Sequence, residues 1–308
     1  MTIEAPPLGV GLIGLSPSMV FMLERLTLRR DFQTVAAWAD ESPARSALID
    51  DTDTCHSRPQ DVISDPHVDV VYFGTVAGSE LVGEAIRAGK SVVLASPVAL
   101  PSQELDQLAI AAAEQRVLAT LHEPSCWDQD FLRVKSVVDS HRLGDIRRVR
   151  LSIHEQGLPG ESFARGIVRD LGCRWFTQLL MLVDAAPRRV DLRRSAAPVA
   201  SAETGFLAII DFENGASAVV EIQTRSLLSH RTGWMIEGST GAYRSGRFYS
   251  QTADGEIIDE PLPNPVVSSD PFLETLAQAM RGEAVSLPSL HDAARVVELI
   301  DRLESSAV

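Results

Sequence analysis

The first part of the chain alternates short apolar runs with stretches that have the spacing of helices. The apolar runs predict buried strands at Val10–Leu15, Gln33–Ala39, Asp69–Gly74, Ser91–Ser96 and Val117–His122. Helical spacing occurs at Met19–Leu28, Glu80–Ala88 and Ser102–Gln115. Continuous apolar strands that alternate with helices are typical of a parallel sheet covered on both faces. We therefore predict an α/β Rossmann domain, a doubly wound parallel sheet with right-handed crossovers.

The pattern changes after residue 122, where alternating strands replace the apolar ones. It predicts a helix, a strand, a hairpin around Asn214-Gly215, a strand pair and a helical tail, at Asp130–His141, Arg147–Glu155, Phe206–Gln223, Thr232–Gly246 and Asp270–Ser305. Runs of strands followed by helices indicate an α+β domain with an open, mostly antiparallel sheet. The predicted domains are residues 1–122 and 123–308, with the last helix returning to pack on the first domain.

The glycines at the start of the chain predict a nucleotide-binding loop, but not in the most obvious register. Gly9, Gly11 and Gly14 match G-x-G-x-x-G, yet the first two lie before and inside the predicted strand. A dinucleotide-binding loop must follow the strand and open a helix. In that register Gly14 supplies the tight turn, and Ser16 and Met19 replace the other two glycines. Ser16 adds a side chain where the pyrophosphate approaches, so we expect dinucleotide binding to be weak or lost.

Asp40 stands at the end of the second predicted strand, where an acidic residue normally binds the adenosine ribose. A carboxylate there accepts from the ribose hydroxyls and repels a 2′-phosphate, which favours NAD over NADP. The alternative is that Asp40, or Ser42 nearby, caps a helix. The sequence leaves both interpretations open.

Composition and charge narrow the classes of partner. The 308 residues are 45% hydrophobic and carry a net charge of −14. An acidic chain argues against binding to nucleic acids or anionic membranes, because phosphate binding needs clustered cations. Three widely spaced cysteines indicate neither a disulfide framework nor a metal site. With no visible signal peptide or membrane span, we expect a cytoplasmic protein that acts on a small molecule.

Several segments in order resemble the glucose–fructose oxidoreductase and inositol dehydrogenase (Gfo/Idh/MocA) family. They include VGLIGLSPS, VDVVYFGTV, AIRAGKSVVLASPVAL, RLGDIRRVRL, GIVRDLGCRWFTQLLML, FENGASAVVEI and IEGSTGAY. The resemblance covers essentially the whole chain. It implies a Rossmann domain, an α/β domain with an open sheet, and oxidation or reduction of a sugar or cyclitol hydroxyl with NAD or NADP. Within the cofactor site it implies roles for Thr75 and Pro97.

The residues that carry the family's chemistry are replaced. Ser96 stands where the resemblance implies a lysine that polarises the substrate oxygen, and Arg174 where it implies a catalytic histidine. Asp170 retains the acid of the same motif. Because hydride transfer from an alcohol needs a nearby base, His122 at the end of the fifth strand is a further candidate, alongside Asp170. Arg174 stays protonated, so its candidate role is to bind a carboxylate or phosphate of an anionic substrate.

These replacements leave two hypotheses open. The chain is either an NAD(P)-dependent oxidoreductase with impaired or altered catalysis, or a non-catalytic subunit that binds a dinucleotide or metabolite. The fold alone does not decide between them, because one fold supports many chemistries. In both cases the alternating strands of the second domain leave one face of its sheet uncovered. Because such a face needs a cover, we expect the chain to form a homodimer or homotetramer through it.

Overall fold

The computed structural model describes residues 6–14, 22, 24–38, 55–74, 78–154, 163, 165–196, 203–227 and 230–307. The chain divides into two compact units. The first contains Met1–Glu123 and Ser268–Arg295, and the second contains Pro124–Val267 and Val296–Val308.

The first unit contains a five-stranded parallel sheet, as the apolar runs predict. Its strands are β1 (Leu8–Ile13), β2 (Phe32–Trp38), β3 (Val70–Phe73), β4 (Ser91–Ala95) and β5 (Ala119–His122). Their order in the sheet is β2-β1-β3-β4-β5, and the strands of each neighbouring pair run parallel. The Rossmann prediction is therefore confirmed. Each of the four residues of β3 is buried, which explains why that strand is apolar throughout.

Helices connect and cover these strands. They are α1 (Pro59–Ser64), α2 (Ser79–Arg87) and α3 (Ser102–Gln115), and residues 24–27 are also helical. Later in the chain α6 (Pro271–Met280) and the start of α7 (Leu290–Ser306) belong to the same unit. The predicted helical tail, Asp270–Ser305, thus consists of two helices that residues 281–289 separate. Gly282 lies in this break with a φ of +81°, a backbone conformation outside the right-handed helix.

Position 9, inside β1, requires a glycine because the backbone of a neighbouring segment approaches it closely. A Cβ atom at Gly9 would lie 1.8 Å from the carbonyl oxygen of His67. The backbone N–H of Gly9 donates to Oδ2 of Asp69 at 2.7 Å. Gly9, which the sequence pattern placed before the strand, lies inside β1 together with Gly11, and Gly14 directly follows the strand.

The second unit contains an eight-stranded sheet that is antiparallel except where β6 pairs with β9. Its order is β13-β12-β11-β10-β6-β9-β8-β7, with bounds β6 (Ile146–His154), β7 (Pro187–Ala196), β8 (Glu203–Phe212), β9 (Ser217–Gln223), β10 (His230–Gly238), β11 (Gly241–Arg244), β12 (Arg247–Gln251) and β13 (Ile257–Pro261). The open α+β architecture is confirmed. The hairpin at Asn214-Gly215 is also confirmed, since β8 and β9 pair across it.

Two helices of the second unit contribute to its core. A 3₁₀ turn (Pro124–Trp127) leads into α4 (Gln129–Asp139), and α5 (Ile167–Leu182) follows β6 in the chain. Phe131 of α4 and Phe176 of α5 are almost completely buried, together with Phe206 of β8 and Trp234 of β10. Among the helices in the described ranges, none combines the length and apolar character needed to cross a membrane.

Candidate functional site

The carboxyl ends of the strands in the first unit meet at one edge of the sheet, which we call the carboxyl edge. Gly14 follows β1 there, Gly74 follows β3, Ser96 follows β4 and Glu123 follows β5. Because the order is β2-β1-β3, the connections from β1 and β3 leave in opposite directions and open a crevice between these strands. Ligands of open α/β sheets bind at such a point.

Gly14 has the backbone geometry that a phosphate-binding turn requires. Its φ is +78°, which favours glycine, and its N–H donates to the carbonyl oxygen of Trp38 at 3.0 Å. Gly74 next to it donates to the carbonyl oxygen of Ile13 at 3.1 Å. These described residues fit a dinucleotide at this edge. The other predicted cofactor residues, Ser16, Asp40 and Thr75, lie outside the described residues.

Ser96 is held at the carboxyl edge by two hydrogen bonds, one to the last residue of β5 and one to the residue that follows it. Its N–H donates to the carbonyl oxygen of His122 at 3.2 Å, and its hydroxyl donates to Oε2 of Glu123 at 2.7 Å. Ser96 is half-buried, whereas Glu123 is only 4% exposed. Pro97, the following residue, is exposed. A buried carboxylate requires such a donor because desolvation without one is costly.

His122 contacts aromatic residues of the first unit. Nδ1 of its ring forms a hydrogen bond with the hydroxyl of Tyr72, and its ring centroid lies 4.3 Å from that of Phe272. Burial, and secondarily the charge of Arg25, lowers the pKa of His122 to about 3. Burial also raises the pKa of the Tyr72 hydroxyl. His122 is therefore a neutral ring in the folded protein, and its role as a base stays a prediction.

Asp170 and Arg174 lie one turn apart on α5 and have different surroundings. The carboxylate of Asp170 accepts from the backbone N–H of Arg165 at 3.2 Å and from its Nε at 3.1 Å. This pair closes the turn that enters α5 at Gly166. Arg174 is exposed, and its guanidinium carbon lies 5.3 Å from the ring centroid of Trp175. The structure thus gives Asp170 a local ion pair and leaves Arg174 on the surface of the second unit.

A cavity of about 440 Å³ lies within the second unit. Trp175, Trp234 and Gln178 contribute to its wall. Gln178 is completely buried, accepts from Nε1 of Trp234 at 2.9 Å and donates to the carbonyl oxygen of Ser125 at 2.6 Å. The amide of Gln178 therefore connects β10 to the 3₁₀ turn, using both its acceptor and its donor inside the protein.

Asp130, on the same cavity wall, forms a second set of internal bonds. Its Oδ2 accepts from the backbone N–H of Trp234 at 3.1 Å, and its Oδ1 accepts from the hydroxyl of Tyr243 at 2.5 Å. Burial, and secondarily the carboxylate of Asp130, raises the pKa of the Tyr243 hydroxyl. Asp130 thus links α4 to β10 and β11 through bonds inside the second unit.

Glu123 is the site residue that the sequence analysis did not select. Its position immediately after the fifth strand was the available signal, because residues at that point of a parallel strand reach the carboxyl edge. A lone acidic residue before a proline is also common in loops. The hydrogen bond from Ser96 is what identifies Glu123 as a site residue instead of an ordinary loop residue.

Comparison with protein families gives two matches that together cover most of the chain. Residues 8–122 match the oxidoreductase family with an NAD-binding Rossmann fold, and residues 131–244 match the GFO/IDH/MocA C-terminal domain.

Curated relatives match over part of their length. The chain is 28% identical over 190 residues to the scyllo-inositol 2-dehydrogenase (NADP(+)) IolW of Bacillus subtilis, covering 59% of this chain and 52% of that protein. It is 28% identical over 226 residues to a 1-carboxy-3-chloro-3,4-dihydroxycyclohexa-1,5-diene dehydrogenase of Comamonas testosteroni, covering 68% and 56%. The chain thus spans a little over half the length of these relatives.

Solved structures match over nearly the whole chain. An NAD-binding protein from Listeria innocua aligns with a TM-score of 0.81 at 21% identity and covers 98% of each chain. GenD2 from gentamicin A biosynthesis, solved in complex with NAD, aligns with a TM-score of 0.78 at 19% identity and covers 99% of this chain and 95% of its own. At these identities the similarity establishes the fold.

Proposed function

The chain belongs to the GFO/IDH/MocA oxidoreductase family, and on that basis we propose that it is an NAD(P)-dependent oxidoreductase. Its substrate is a sugar, a cyclitol or a related compound, of which it oxidises a hydroxyl group or reduces the corresponding carbonyl. The observation that carries the proposal is Gly14, which ends β1 with a positive φ at the crevice between β1 and β3. The first glycine of a dinucleotide-binding loop makes such a tight turn. The name of the Bacillus relative, an inositol dehydrogenase, supports a cyclitol.

The replaced residues give this oxidoreductase altered catalysis. A bound nicotinamide supplies the acceptor or donor of the hydride. The chain must orient the alcohol and move its proton, yet Ser96 and Arg174 stand where the family pattern has a lysine and a histidine. Arg174 cannot take up a proton near neutral pH, so its proposed role is to bind an anionic group of the substrate. The carboxylated diol in the name of the Comamonas relative is consistent with an anionic substrate.

The choice between NAD and NADP depends on Asp40. A carboxylate at the ribose repels a 2′-phosphate, so we propose NAD as the preferred cofactor, bound weakly because Ser16 replaces a loop glycine. Replacing Asp40 with alanine should then weaken NAD binding more than NADP binding. Equal effects on both cofactors would assign Asp40 to a helix cap.

The second candidate is a non-catalytic protein that binds a dinucleotide or metabolite. The exposed position of Arg174, where the family pattern has its histidine, favours this candidate. Turnover distinguishes the two, because a binding subunit retains cofactor affinity without oxidising any alcohol.

Calorimetric titration with NAD⁺, NADP⁺ and their reduced forms tests the proposal first. Steady-state reduction of NAD⁺ should follow with scyllo-inositol, aldoses and carboxylated cyclic diols as substrates. Gly14→Ala should weaken NAD binding, whereas Gly89→Ala should not, although both glycines have similar φ angles of +78° and +75°. Failure of both NAD and NADP to bind would refute the proposed function.

We also propose that the second unit forms a homodimer or homotetramer through the open face of its sheet. Ile209, Val219, Arg150 and Met235 lie in one row across β8, β9, β6 and β10. Of these, Ile209, Val219 and Met235 are half-buried in the single chain, so a partner would cover apolar surface. Light scattering that shows a monomer at micromolar concentration would contradict this proposal.

A further inference from the structure

We propose that Ser96 and Glu123 form the proton relay of this oxidoreductase, with Ser96 contacting the substrate hydroxyl and Glu123 acting through it. The proposal rests on the proposed function, since it assigns the acid–base groups of that reaction. It starts from the hydrogen bond of 2.7 Å between the Ser96 hydroxyl and Oε2 of Glu123.

The fold fixes both partners at the carboxyl edge. Ala95 of β4 pairs with His122 of β5, so the next residue of each strand lies at the same level. The bond from the Ser96 N–H to the carbonyl oxygen of His122, at 3.2 Å, continues this register by one residue. The hydroxyl of Ser96 is therefore positioned by the backbone as well as by Glu123.

Ser96 is the more exposed residue of the pair and is therefore the one that a substrate can contact. Glu123 is 4% exposed and Ser96 is half-buried, so a ligand at the carboxyl edge reaches the hydroxyl before the carboxylate. A serine alone is a poor base and needs an activating partner. The carboxylate of Glu123 is such a partner, and it accepts the hydroxyl proton in the geometry that activation requires.

The other candidate bases have different partners. Both lysines of the chain are engaged: Nζ of Lys90 donates to the carbonyl oxygens of Asp65 and Val68, and Nζ of Lys135 pairs with Asp139 at 2.8 Å. Lys90 also lies immediately before β4, at the opposite edge of the sheet from Ser96. His122 bonds to Tyr72. The Ser96–Glu123 pair is thus the described acid–base pair that occupies the position of the family's lysine.

The relay carries one proton from the substrate to solvent in each oxidation. A bound oxidised nicotinamide would accept the hydride from the carbon of the alcohol, and the O–H proton of the alcohol passes to Oγ of Ser96. The original hydroxyl proton of Ser96 passes to Oε2 of Glu123, and the alcohol becomes a ketone or aldehyde. Glu123 ends as a carboxylic acid and returns its proton to solvent through Ser96. In the reducing direction the same groups deliver the proton to the carbonyl oxygen.

The kinetic test replaces Glu123 and compares kcat with KM. Glu123→Gln should lower kcat by roughly 10²–10⁴-fold, the usual contribution of a positioned acid–base group, with KM and calorimetric NAD affinity within about twofold of wild type. Glu123→Ala should regain turnover when formate supplies a carboxylate. Glu114→Gln, which changes an exposed glutamate of α3, serves as the control. Wild-type kcat in Glu123→Gln would overturn the proposal.

An infrared measurement tests the pair in the free protein. The difference between wild type and Glu123→Gln isolates the carboxylate band of Glu123. Ser96→Ala should shift that band because the carboxylate loses an O–H donor, and Ser96→Thr should leave it in place. An unshifted band in Ser96→Ala would overturn the proposal whether or not the protein turns over.

The two proposals fail in different ways. If wild type binds neither NAD nor NADP, the proposed function is wrong. If wild type binds cofactor and oxidises an alcohol while Ser96→Ala and Glu123→Gln are fully active, the relay alone is wrong. If wild type binds cofactor but oxidises none of the alcohols, the relay is also overturned, and cofactor binding stands.

Discussion

Two buried polar side chains, Glu123 in the first unit and Gln178 in the second, are bonded in contrasting ways. The amide of Gln178 bonds to Trp234 and to the backbone of Ser125, both of which belong to the interior of the second unit. The carboxylate of Glu123 instead accepts from Ser96, a half-buried hydroxyl at the carboxyl edge.

This contrast separates a structural role from a chemical one. A buried polar group that bonds to other interior groups fixes the packing and costs several kcal/mol to disrupt. A buried charge that bonds to a group within reach of a ligand provides a means to exchange a proton. We therefore expect changes at Gln178 to affect stability and changes at Glu123 to affect turnover.

Gln178→Leu should produce the largest loss of stability. It leaves Nε1 of Trp234 and the carbonyl oxygen of Ser125 buried without this partner, and we expect unfolding to become easier by about 3 kcal/mol. Urea unfolding measures the loss. Trp234→Phe removes the other side of the same hydrogen bond. The loss of stability in the double variant should therefore be smaller than the sum of the losses in the two single variants. Additive effects would show that the amide and the indole act independently.

His122 should make the free energy of unfolding depend on pH, with a change smaller than the loss expected for Gln178→Leu. Because the folded pKa is about 3 and the ordinary value is 6.5, the unfolded chain binds a proton that the folded protein does not. Stability should therefore fall by about 2 kcal/mol as the pH drops from about 7 to about 5. His122→Gln keeps an acceptor for Tyr72 and should remove this part of the pH dependence. An unchanged pH dependence would contradict burial of a neutral ring.

Arg174→Ala should have the smallest effect, and mainly on substrate affinity. Its guanidinium is exposed and stacks on Trp175, so its loss should change stability by less than about 1 kcal/mol. If the substrate is anionic, KM should rise roughly tenfold, because a charged hydrogen bond is lost. Neutral polyols should show no change, and an equal rise in KM for both classes would contradict a role in anion binding.

The sequence predicts the sheets better than the chemistry. The apolar runs locate β1 to β5, most clearly β3, where burial of all four residues leaves a continuous apolar signal. The helical tail was predicted without its internal break, because a glycine such as Gly282 does not by itself mark the end of a helix, and its φ of +81° is known only from the structure. Strand β13 was missed since each of its five residues is exposed and carries no alternating pattern.

The candidate site was predictable only where a residue acts alone. Gly14 was identifiable from its place after a strand, because the turn depends on its own backbone. The partner of Ser96 was not, since the two residues meet only when β4 and β5 pair in the observed register. The pairing of Asp170 with Arg165 likewise depends on the turn before α5.

The most direct test compares kcat for Ser96→Ala with kcat for Arg174→Ala in the oxidation of an alcohol by NAD⁺. At these two positions the family pattern has its lysine and its histidine. We expect Ser96→Ala to lower kcat by at least roughly 10²-fold, because the relay is broken, and Arg174→Ala to leave kcat within about twofold of wild type. Full activity in Ser96→Ala together with a large loss of kcat in Arg174→Ala would contradict the account and transfer the chemistry to the second unit.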